Sequence, residues 1–244
     1  MKSMKIKLFF IRKFKGLFLF LRLGYLFKIF IKPLKFLVFL VEFSLWAHKH
    51  SKIKYNDFFS FKFTPNARYL LYTFLIESEK LNNEPINYLE FGVAYGHSFK
   101  WWINHITNTE SRFYGFDTFE GLPEDWNLFK KGEMSPYGQI PEINDNRASF
   151  IKGLFQDTLI PFLKNFDNTK RKVINMDADL YSSTLFTLTT LAPYLKSGDI
   201  IIFDEFGVPL HEFKAFMEFV SAFYTKYEVI AAVNNYFQVA IKIL

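Results

Sequence analysis

After about residue 64, the chain alternates short apolar runs with longer stretches whose apolar residues have helical spacing. Seven apolar runs predict strands, at 86–91, 112–117, 148–152, 172–176, 199–203, 227–233 and 236–243. The longer stretches predict helices at 64–80, from 97, from 157, at 182–195 and at 210–226. Strands that alternate with helices indicate a parallel sheet, and Asn234-Asn235 predicts a tight turn that makes one of the last two strands antiparallel.

One polar segment, residues 118–147, separates the second and third predicted strands. It is rich in Gly, Pro, Asp and Asn. Connections longer than about 12–15 residues are uncommon in compact domains and are usually functional or disordered. We therefore expect this segment to form a lid over a binding site.

A glycine turn follows the first predicted strand. The strand ends near Glu90, Gly92 and Gly96 form the turn, and a helix opens directly afterwards. This order suits nucleotide-like ligands, because glycine permits a close backbone approach and the helix start offers free N–H groups. The next strand ends at Asp117, at about the distance of 20 residues where such folds place an acid that binds a ribose.

The turn also indicates which ligand it binds. It has neither the Gly-x-Gly-x-x-Gly pattern nor the Gly-Lys-Ser/Thr pattern of phosphate-binding loops. Glu90 would repel a pyrophosphate, whereas it can accept hydrogen bonds from a cationic ligand. S-adenosylmethionine carries a sulfonium, an ammonium and a ribose but no phosphate, so the pattern favours this cofactor.

Four motifs resemble a known family. They are GFDTFEGLP at 115–123, KGLFQDTL at 152–159, DADLYSST at 177–184 and DEF at 204–206. In this order they resemble the macrocin-type sugar O-methyltransferases, which are class I enzymes that depend on S-adenosylmethionine and usually on a metal. The resemblance covers residues 64–244. It implies a Rossmann-like α/β fold with a seven-stranded, mostly parallel sheet that ends in an antiparallel hairpin strand.

The predicted cofactor-binding residues lie in the glycine turn or in these motifs. They are Glu90, Gly92, Gly96, Ser98, Asp117, Phe119, Asp157 and Asp177. The resemblance places Asp157 near the adenine. A role as a helix cap is the alternative for Asp157, because a helix is predicted to start there.

Carboxylates end or follow parallel strands and should meet at one edge of the sheet. Acids this close repel each other unless cations offset their charge, which favours a divalent metal besides the cationic cofactor. Asp179, Asp204 and Glu205 are the predicted metal ligands, and Mg²⁺ is the predicted metal because all three offer oxygen. The family has two consecutive aspartates where this chain has Asp204-Glu205, so the longer Glu205 shifts the geometry. Asp179 is the predicted general base, while helix capping by Asp177 and Asp179 is the alternative.

The charge of the chain is concentrated in its first part. Residues 1–54 contain 13 Lys or Arg and one acid, Glu42, a formal charge of +12. The whole chain has 30 basic and 24 acidic residues, which leaves 17 and 23, or −6, for residues 55–244. The sequence contains no cysteine, which excludes disulfides, thiolate zinc sites and a cysteine nucleophile. We therefore predict a basic, Phe-rich arm at 1–54 and a methyltransferase domain at 64–244.

The arm is apolar but its lysines and arginines interrupt every stretch long enough to span a bilayer. The pattern indicates helices, broken near Gly24 and Pro33, that lie in a membrane interface with basic residues toward anionic headgroups. We predict that residues 1–48 bind the anionic inner face of the membrane and that the domain itself is cytoplasmic. A cap over the site or a homo-oligomer contact is the alternative. The arm is too apolar to favour nucleic-acid binding.

The predicted activity is methylation of a hydroxyl on a sugar or glycan, or on another small-molecule acceptor. One alternative keeps the enzyme but changes the acceptor to a lipid or a small aromatic molecule. The other is a membrane-associated binding module whose methyltransferase fold does not turn over. The acid set favours the enzyme, because a pure binding module would not need Asp179 and Asp204.

Overall fold

The chain forms two compact units, Met1–Glu42 and Phe43–Leu244. The computed structural model describes residues 2–126 and 128–244. The boundary lies within the predicted arm of residues 1–54, so that the last part of the arm and residues 55–63 belong to the second unit.

Helices make up the first unit. They are α1 at Lys2–Phe20, α2 at Gly24–Phe27, a 3₁₀ turn at Lys28–Phe30 and the first part of α3. The whole of α3 extends over Ile31–Lys49 and so continues into the second unit. The interruption before Gly24 is as predicted, and Pro33 lies in the first turn of α3, where its missing N–H has no helical partner to lose. Large apolar side chains of this unit, from Met4 to Val41, are exposed. Within the described residues, no helix combines the length and the apolar character needed to cross a membrane.

The end of α3 packs into the second unit. Trp46 is buried, its ring lies 4.8 Å from that of Phe206 between centroids, and its indole Nε1 donates a hydrogen bond of 2.9 Å to the Tyr227 hydroxyl. Burying an aromatic side chain of this size contributes about 2–3 kcal/mol. Residues after 43 are therefore part of the framework of the second unit rather than of a separate arm.

An eight-stranded sheet forms the centre of the second unit. Its strands are β1 Tyr55–Asn56, β2 Ile86–Phe91, β3 Arg112–Asp117, β4 Ala148–Lys152, β5 Arg171–Met176, β6 Ile200–Phe203, β7 Tyr227–Val233 and β8 Gln238–Ile243. Their order is β1-β7-β8-β6-β5-β2-β3-β4. β8 is antiparallel to both of its neighbours, and the other neighbouring pairs are parallel. The helices between the strands are α4 Ala67–Ser78, α5 His97–His105, α6 Phe155–Leu163, α7 Tyr181–Leu191 and α8 Lys214–Phe223.

The predicted strands lie close to the observed ones, and the differences have local reasons. β1 was not predicted, because two residues make no apolar run and only their pairing with β7, Tyr55 to Ala231, forms the strand. The last turn is longer than Asn234-Asn235: Tyr236 also has a positive φ of 63°, and β8 begins only at Gln238. The helix α6 begins at Phe155, so Asp157 lies inside its first turn and not at its cap.

The strand order reverses between β2 and β5, and the segments that follow these two strands approach each other closely. Gly92 follows β2 with a φ of +94°, and a Cβ at this position would lie 1.7 Å from the backbone oxygen of Asp177 after β5. No side chain fits that space. In open α/β sheets a ligand binds at such a reversal, outside the carboxyl ends of the strands.

Candidate active site

A cleft of about 310 Å³ opens at the carboxyl ends of β2, β3, β5 and β6. The glycine turn forms one side of it, the ends of β5 and β6 form the other, and the start of α4 and part of the segment 118–147 complete it. Its lining includes eight polar or charged residues of these elements: Arg68, Glu90, Ser98, Asp117, Asp177, Asp179, Asp204 and Glu205.

Asp117 holds the glycine turn in place. Its Oδ2 accepts hydrogen bonds of 2.7 Å from the backbone N–H groups of Val93 and Ala94, and its Oδ1 accepts one of 2.7 Å from the N–H of Phe119. A carboxylate with three backbone donors is strongly anchored, because charge-assisted hydrogen bonds are about twice as strong as neutral ones. Asp117 therefore orders the turn in addition to lining the cleft.

Glu90 is buried beneath the same turn. Its side chain is 1% exposed, and the hydroxyl of Tyr88 donates a hydrogen bond to its Oε2. Burial raises the pKa of Glu90 to about 8, although the hydrogen bond from Tyr88 opposes this shift. Glu90 is therefore largely protonated near neutral pH, and a cationic ligand beside it would favour the ionised form.

Three carboxylates converge at the ends of β5 and β6. Asp177, Asp179 and Glu205 each place one carboxylate oxygen within 4.8 Å of the others. Asp179 reaches this position through a left-handed backbone, with a φ of +59°. Burial raises the pKa of all three carboxyls, and repulsion between neighbouring acids adds to the shift.

Asp204 lies apart from this group and pairs with a cation. Its Oδ2 is 3.0 Å from Nη1 of Arg68, and the same guanidinium nitrogen lies 3.9 Å from Oδ2 of Asp177. The structure therefore groups Asp177, rather than the predicted Asp204, with Asp179 and Glu205. The sequence analysis missed Arg68, and its one signal was that Arg68 is the only basic residue in the helical stretch 67–78.

The sequence analysis also missed Glu212, which holds the backbone of Glu205 in place. It is fully buried, and its Oε2 accepts a hydrogen bond of 2.9 Å from the backbone N–H of Glu205. Burial raises the pKa of Glu212 well above its usual value. The neighbouring His211 is half-buried, and burial lowers its pKa while the charge of Asp179 opposes that effect.

Three of the predicted cofactor-binding residues do not line the cleft. Phe119 is buried in the core, where its ring packs 6.1 Å from that of Phe150 between centroids. Asp157 is exposed on the first turn of α6, and the residues just before it, at 154–156, line the cleft instead. Gly96 lies under Pro141, whose Cγ would be 2.9 Å from a Cβ at this glycine. Gly92, Ser98 and the predicted acids other than Asp157 line the cleft as expected.

Residues 89–206 match the family described as a methyltransferase domain. The match runs from β2 to the residues just after β6, so that it contains the glycine turn and the converging carboxylates. It includes neither Arg68 nor the first unit.

Two curated relatives are sugar O-methyltransferases by name. The chain is 27% identical over 123 residues to 8-demethyl-8-(2,3-dimethoxy-alpha-L-rhamnosyl)-tetracenomycin-C 4'-O-methyltransferase of Streptomyces olivaceus, over 41% of this chain and 44% of that protein. It is 26% identical over 118 residues to mycinamicin III 3''-O-methyltransferase of Micromonospora griseorubida, over 46% of this chain and 42% of that protein. The chain therefore matches less than half the length of each relative. Both matches confirm the resemblance that the four motifs predict.

Solved structures confirm the fold. The calicheamicin methyltransferase CalS11 is similar with a TM-score of 0.56 and 18% identity, over 72% of this chain and 79% of that chain. The O-methyltransferase NovP is similar with a TM-score of 0.55 and 23% identity, over 72% and 78%. The Rossmann-like methyltransferase fold is thus as predicted, with eight strands in place of seven.

Proposed function

We propose that the chain is an S-adenosylmethionine-dependent O-methyltransferase that acts on a hydroxyl of a sugar or glycan. The main support for this proposal is that three carboxylates converge beside the glycine turn, within the segment that matches a methyltransferase domain. The names of the two curated relatives support a sugar as the acceptor. Asp179 is the proposed catalytic base.

The glycine turn would hold the cofactor. S-adenosylmethionine supplies an activated methyl group on a sulfonium when it is bound. Asp117 fixes the backbone of Val93 and Ala94, so little ordering is left to occur on binding. Glu90 and Asp177 line the same cleft and offer carboxylates to the cationic groups of the ligand.

The converging carboxylates fit a divalent cation. Asp177, Asp179 and Glu205 offer hard oxygen ligands, and Oε2 of Glu205 is buried without a hydrogen-bond partner among the described residues. Burial and, after it, repulsion from neighbouring carboxylates raise the pKa of Asp177 and Glu205, and a bound cation would favour their ionised forms. Mg²⁺ bound here would act as a Lewis acid that lowers the pKa of an acceptor hydroxyl. The role first assigned to Asp204 would then be indirect, because Arg68 occupies its Oδ2.

Asp179 is placed to take the hydroxyl proton. Burial raises its pKa, so that it is a stronger base than an exposed aspartate and can accept the proton onto a carboxylate oxygen. S-adenosylmethionine, when bound, would supply the methyl group to the acceptor oxygen that Asp179 deprotonates, and S-adenosylhomocysteine would be the leaving group. Leu122 and Met134, from the segment 118–147, line the cleft and would help to exclude water during transfer.

The test is transfer of an isotope-labelled methyl group by the full chain. The acceptor probes are TDP-rhamnose, the sugar nucleotide named for a CalS11 structure, and a panel of other deoxysugar nucleotides and glycans. We expect a labelled methyl ether on a sugar hydroxyl by mass spectrometry. Transfer only to lipid or aromatic acceptors would replace the sugar assignment, and cofactor binding without any transfer would favour the binding module.

We also propose that residues 1–48 hold the protein to an anionic membrane from the cytoplasmic side. The support is the formal charge of +12 over residues 1–54 together with the exposed apolar side chains of the first unit. Each basic residue near such a surface contributes about 1 kcal/mol. In vesicle flotation, Lys13→Glu with Lys15→Glu should weaken binding, while the matched pair Lys131→Glu with Lys164→Glu should not. Equal effects of both pairs, or a loss of oligomers without any vesicle binding, would contradict the proposal.

A further inference from the structure

The edge of the sheet at β1 displays four phenylalanines to solvent. Phe58, Phe59, Phe61 and Phe63 are exposed to 56%, 62%, 94% and 58%. They are close together, since the rings of Phe59 and Phe61 lie 4.8 Å apart between centroids. Contiguous exposed apolar patches on a folded protein usually mark a surface that binds a partner or a membrane.

The loop that carries these phenylalanines is held firmly to the sheet. Asn235 accepts a hydrogen bond of 2.8 Å from the N–H of Ser60 and donates one of 2.8 Å to the Ser60 carbonyl. Asn234 accepts a hydrogen bond of 2.9 Å from the N–H of Thr64. The structure thus fixes the loop by side-chain amides from the β7–β8 turn while its aromatic rings point outward.

Basic residues surround the same edge. We define the edge segment as residues 49–63, which contain four lysines and one acid, Asp57. The carboxylate of Asp57 accepts hydrogen bonds from the backbone N–H groups of Asn234 and Asn235 at 2.8 and 3.3 Å. No ion-pair partner is found among residues 2–126 and 128–244 for the four exposed lysines: Lys49, Lys52, Lys54 and Lys62.

Three of these lysines line an open cavity of about 690 Å³. Lys49, Lys52 and Lys54 lie on its wall together with Glu79 and Glu228. The two acids of the cavity are already balanced, since Glu79 pairs with Arg171 and Lys242 and Glu228 lies 3.6 Å from Lys242. The cavity lies at the start of β7, whereas the phenylalanine loop contacts Asn234 and Asn235 just after the end of this strand, so the lysines and the aromatic rings occupy the two ends of the same sheet edge.

We propose that the edge segment contacts the surface of an anionic lipid bilayer, with its phenylalanines in the boundary between headgroups and acyl chains. Aromatic side chains are favoured at that depth. Lys62, between Phe61 and Phe63, and the three lysines at the other end of the edge would bind anionic headgroups of a bilayer that lies along this edge. A second copy of this chain fits less well, because a two-fold contact would bring the same unpaired lysines together. This contact belongs to the second unit, is separate from that of residues 1–48, and does not depend on methyl transfer.

The contact would also orient the cleft. The edge segment ends at Phe63, and α4 follows at Ala67, whose neighbour Arg68 lines the cleft. A bilayer seated on the phenylalanines would therefore lie near the opening through which an acceptor enters.

A fluorescent label tests whether this edge reaches lipid. The chain has no cysteine, so Lys62→Cys and Glu110→Cys each give the full-length protein one labelling site. Glu110 is exposed in the loop before β3, the strand next to the opposite edge strand β4, and serves as the matched control. On vesicles of phosphatidylglycerol and phosphatidylcholine that contain brominated acyl chains, we expect loss of fluorescence for the label at 62 and none for the label at 110. Unquenched label at 62 on vesicle-bound protein, or equal quenching at both sites, would overturn the proposal.

Substitution of the phenylalanines gives an independent measurement. We expect Phe59→Ser with Phe61→Ser to weaken vesicle binding about tenfold or more, because the bilayer would no longer bury these two aromatic side chains. Tyr224→Ser, which removes an 89% exposed aromatic at the end of α8, is the matched control and should leave binding unchanged. Circular dichroism spectra that match the wild type establish that both variants are folded before their vesicle binding is compared. Unchanged vesicle binding with reduced self-association would assign the edge to a second copy and overturn the proposal.

Discussion

The two sides of the cleft differ in how their carboxylates are balanced. At the glycine turn, Asp117 is satisfied by three backbone N–H groups of the chain itself. At the ends of β5 and β6, Asp177, Asp179 and Glu205 repel one another, and their pKa values are raised. The first side is preorganised by the backbone, whereas for the second side we propose that a bound cation offsets the charge. The comparison separates residues that should govern cofactor affinity from residues that should govern turnover.

The largest effect is expected for Asp179→Asn. The substitution keeps the shape of the side chain but removes the proton acceptor, and general-base catalysis contributes about 10²–10⁴-fold. We expect kcat to fall by that range while the S-adenosylmethionine affinity, measured by calorimetry, changes little. Asp157→Asn is the control, because Asp157 is an exposed acid outside the cleft. A variant with normal turnover would remove Asp179 from the mechanism.

The proposed metal ligands should show a linked effect on stability and turnover. A ligand present at about 100 times its Kd stabilises a folded protein by about 2.7 kcal/mol, so MgCl₂ should raise the Tm of the wild type. Glu205→Gln should reduce that rise, whereas Glu84→Gln, at an exposed site away from the cleft, should keep it. Turnover should stop in excess EDTA. Full activity in EDTA would mean that the three carboxylates serve without a metal.

Asp117→Ala should weaken S-adenosylmethionine binding at the glycine turn, the other side of the cleft. Loss of a charged hydrogen-bonding partner costs about 1.5–3 kcal/mol, which corresponds to a tenfold to hundredfold loss of S-adenosylmethionine affinity. The substitution also leaves the N–H groups of Val93, Ala94 and Phe119 without their acceptor. Calorimetry together with denaturant unfolding separates the two effects. An unchanged affinity would show that Asp117 only orders the turn.

The last prediction concerns the pH dependence of stability, where the effect within one pH unit is small. The folded pKa of Glu90 is about 8, above its usual value of 4.5, so the folded state keeps a proton that the unfolded chain loses between these values. Its contribution is therefore full below pH 4.5 and is lost as pH rises toward 8, by at most about 1.4 kcal/mol per pH unit. Urea unfolding of wild type and Glu90→Gln over this range gives the difference, in which other titrating groups largely cancel. A difference that does not change with pH would contradict the assignment.

The pattern of the sequence was sufficient for the strands and the glycine turn, because both depend on neighbouring residues. The central strand β6 is a run of apolar residues that are all buried, as a strand covered on both faces requires. The spacing from Gly92 to Asp117 likewise reflects one helix between two strands. The motif acids Asp177, Asp179, Asp204 and Glu205 follow strands that the sequence located within a residue or two, so the parallel sheet predicts that acids meet at this edge but not which of them form one group.

Other contacts were decided by the tertiary structure. The pairing of Arg68 with Asp204 joins residues more than a hundred positions apart, and it determines that Asp177 rather than Asp204 completes the carboxylate group. Asp179 turns toward Glu205 only because its backbone adopts a positive φ. The four phenylalanines of the edge segment are exposed because Asn234 and Asn235, from the far end of the chain, hold their loop in place. Local patterns specify elements and their ends, whereas the direction of a side chain at such an end depends on which distant residues the fold brings against it.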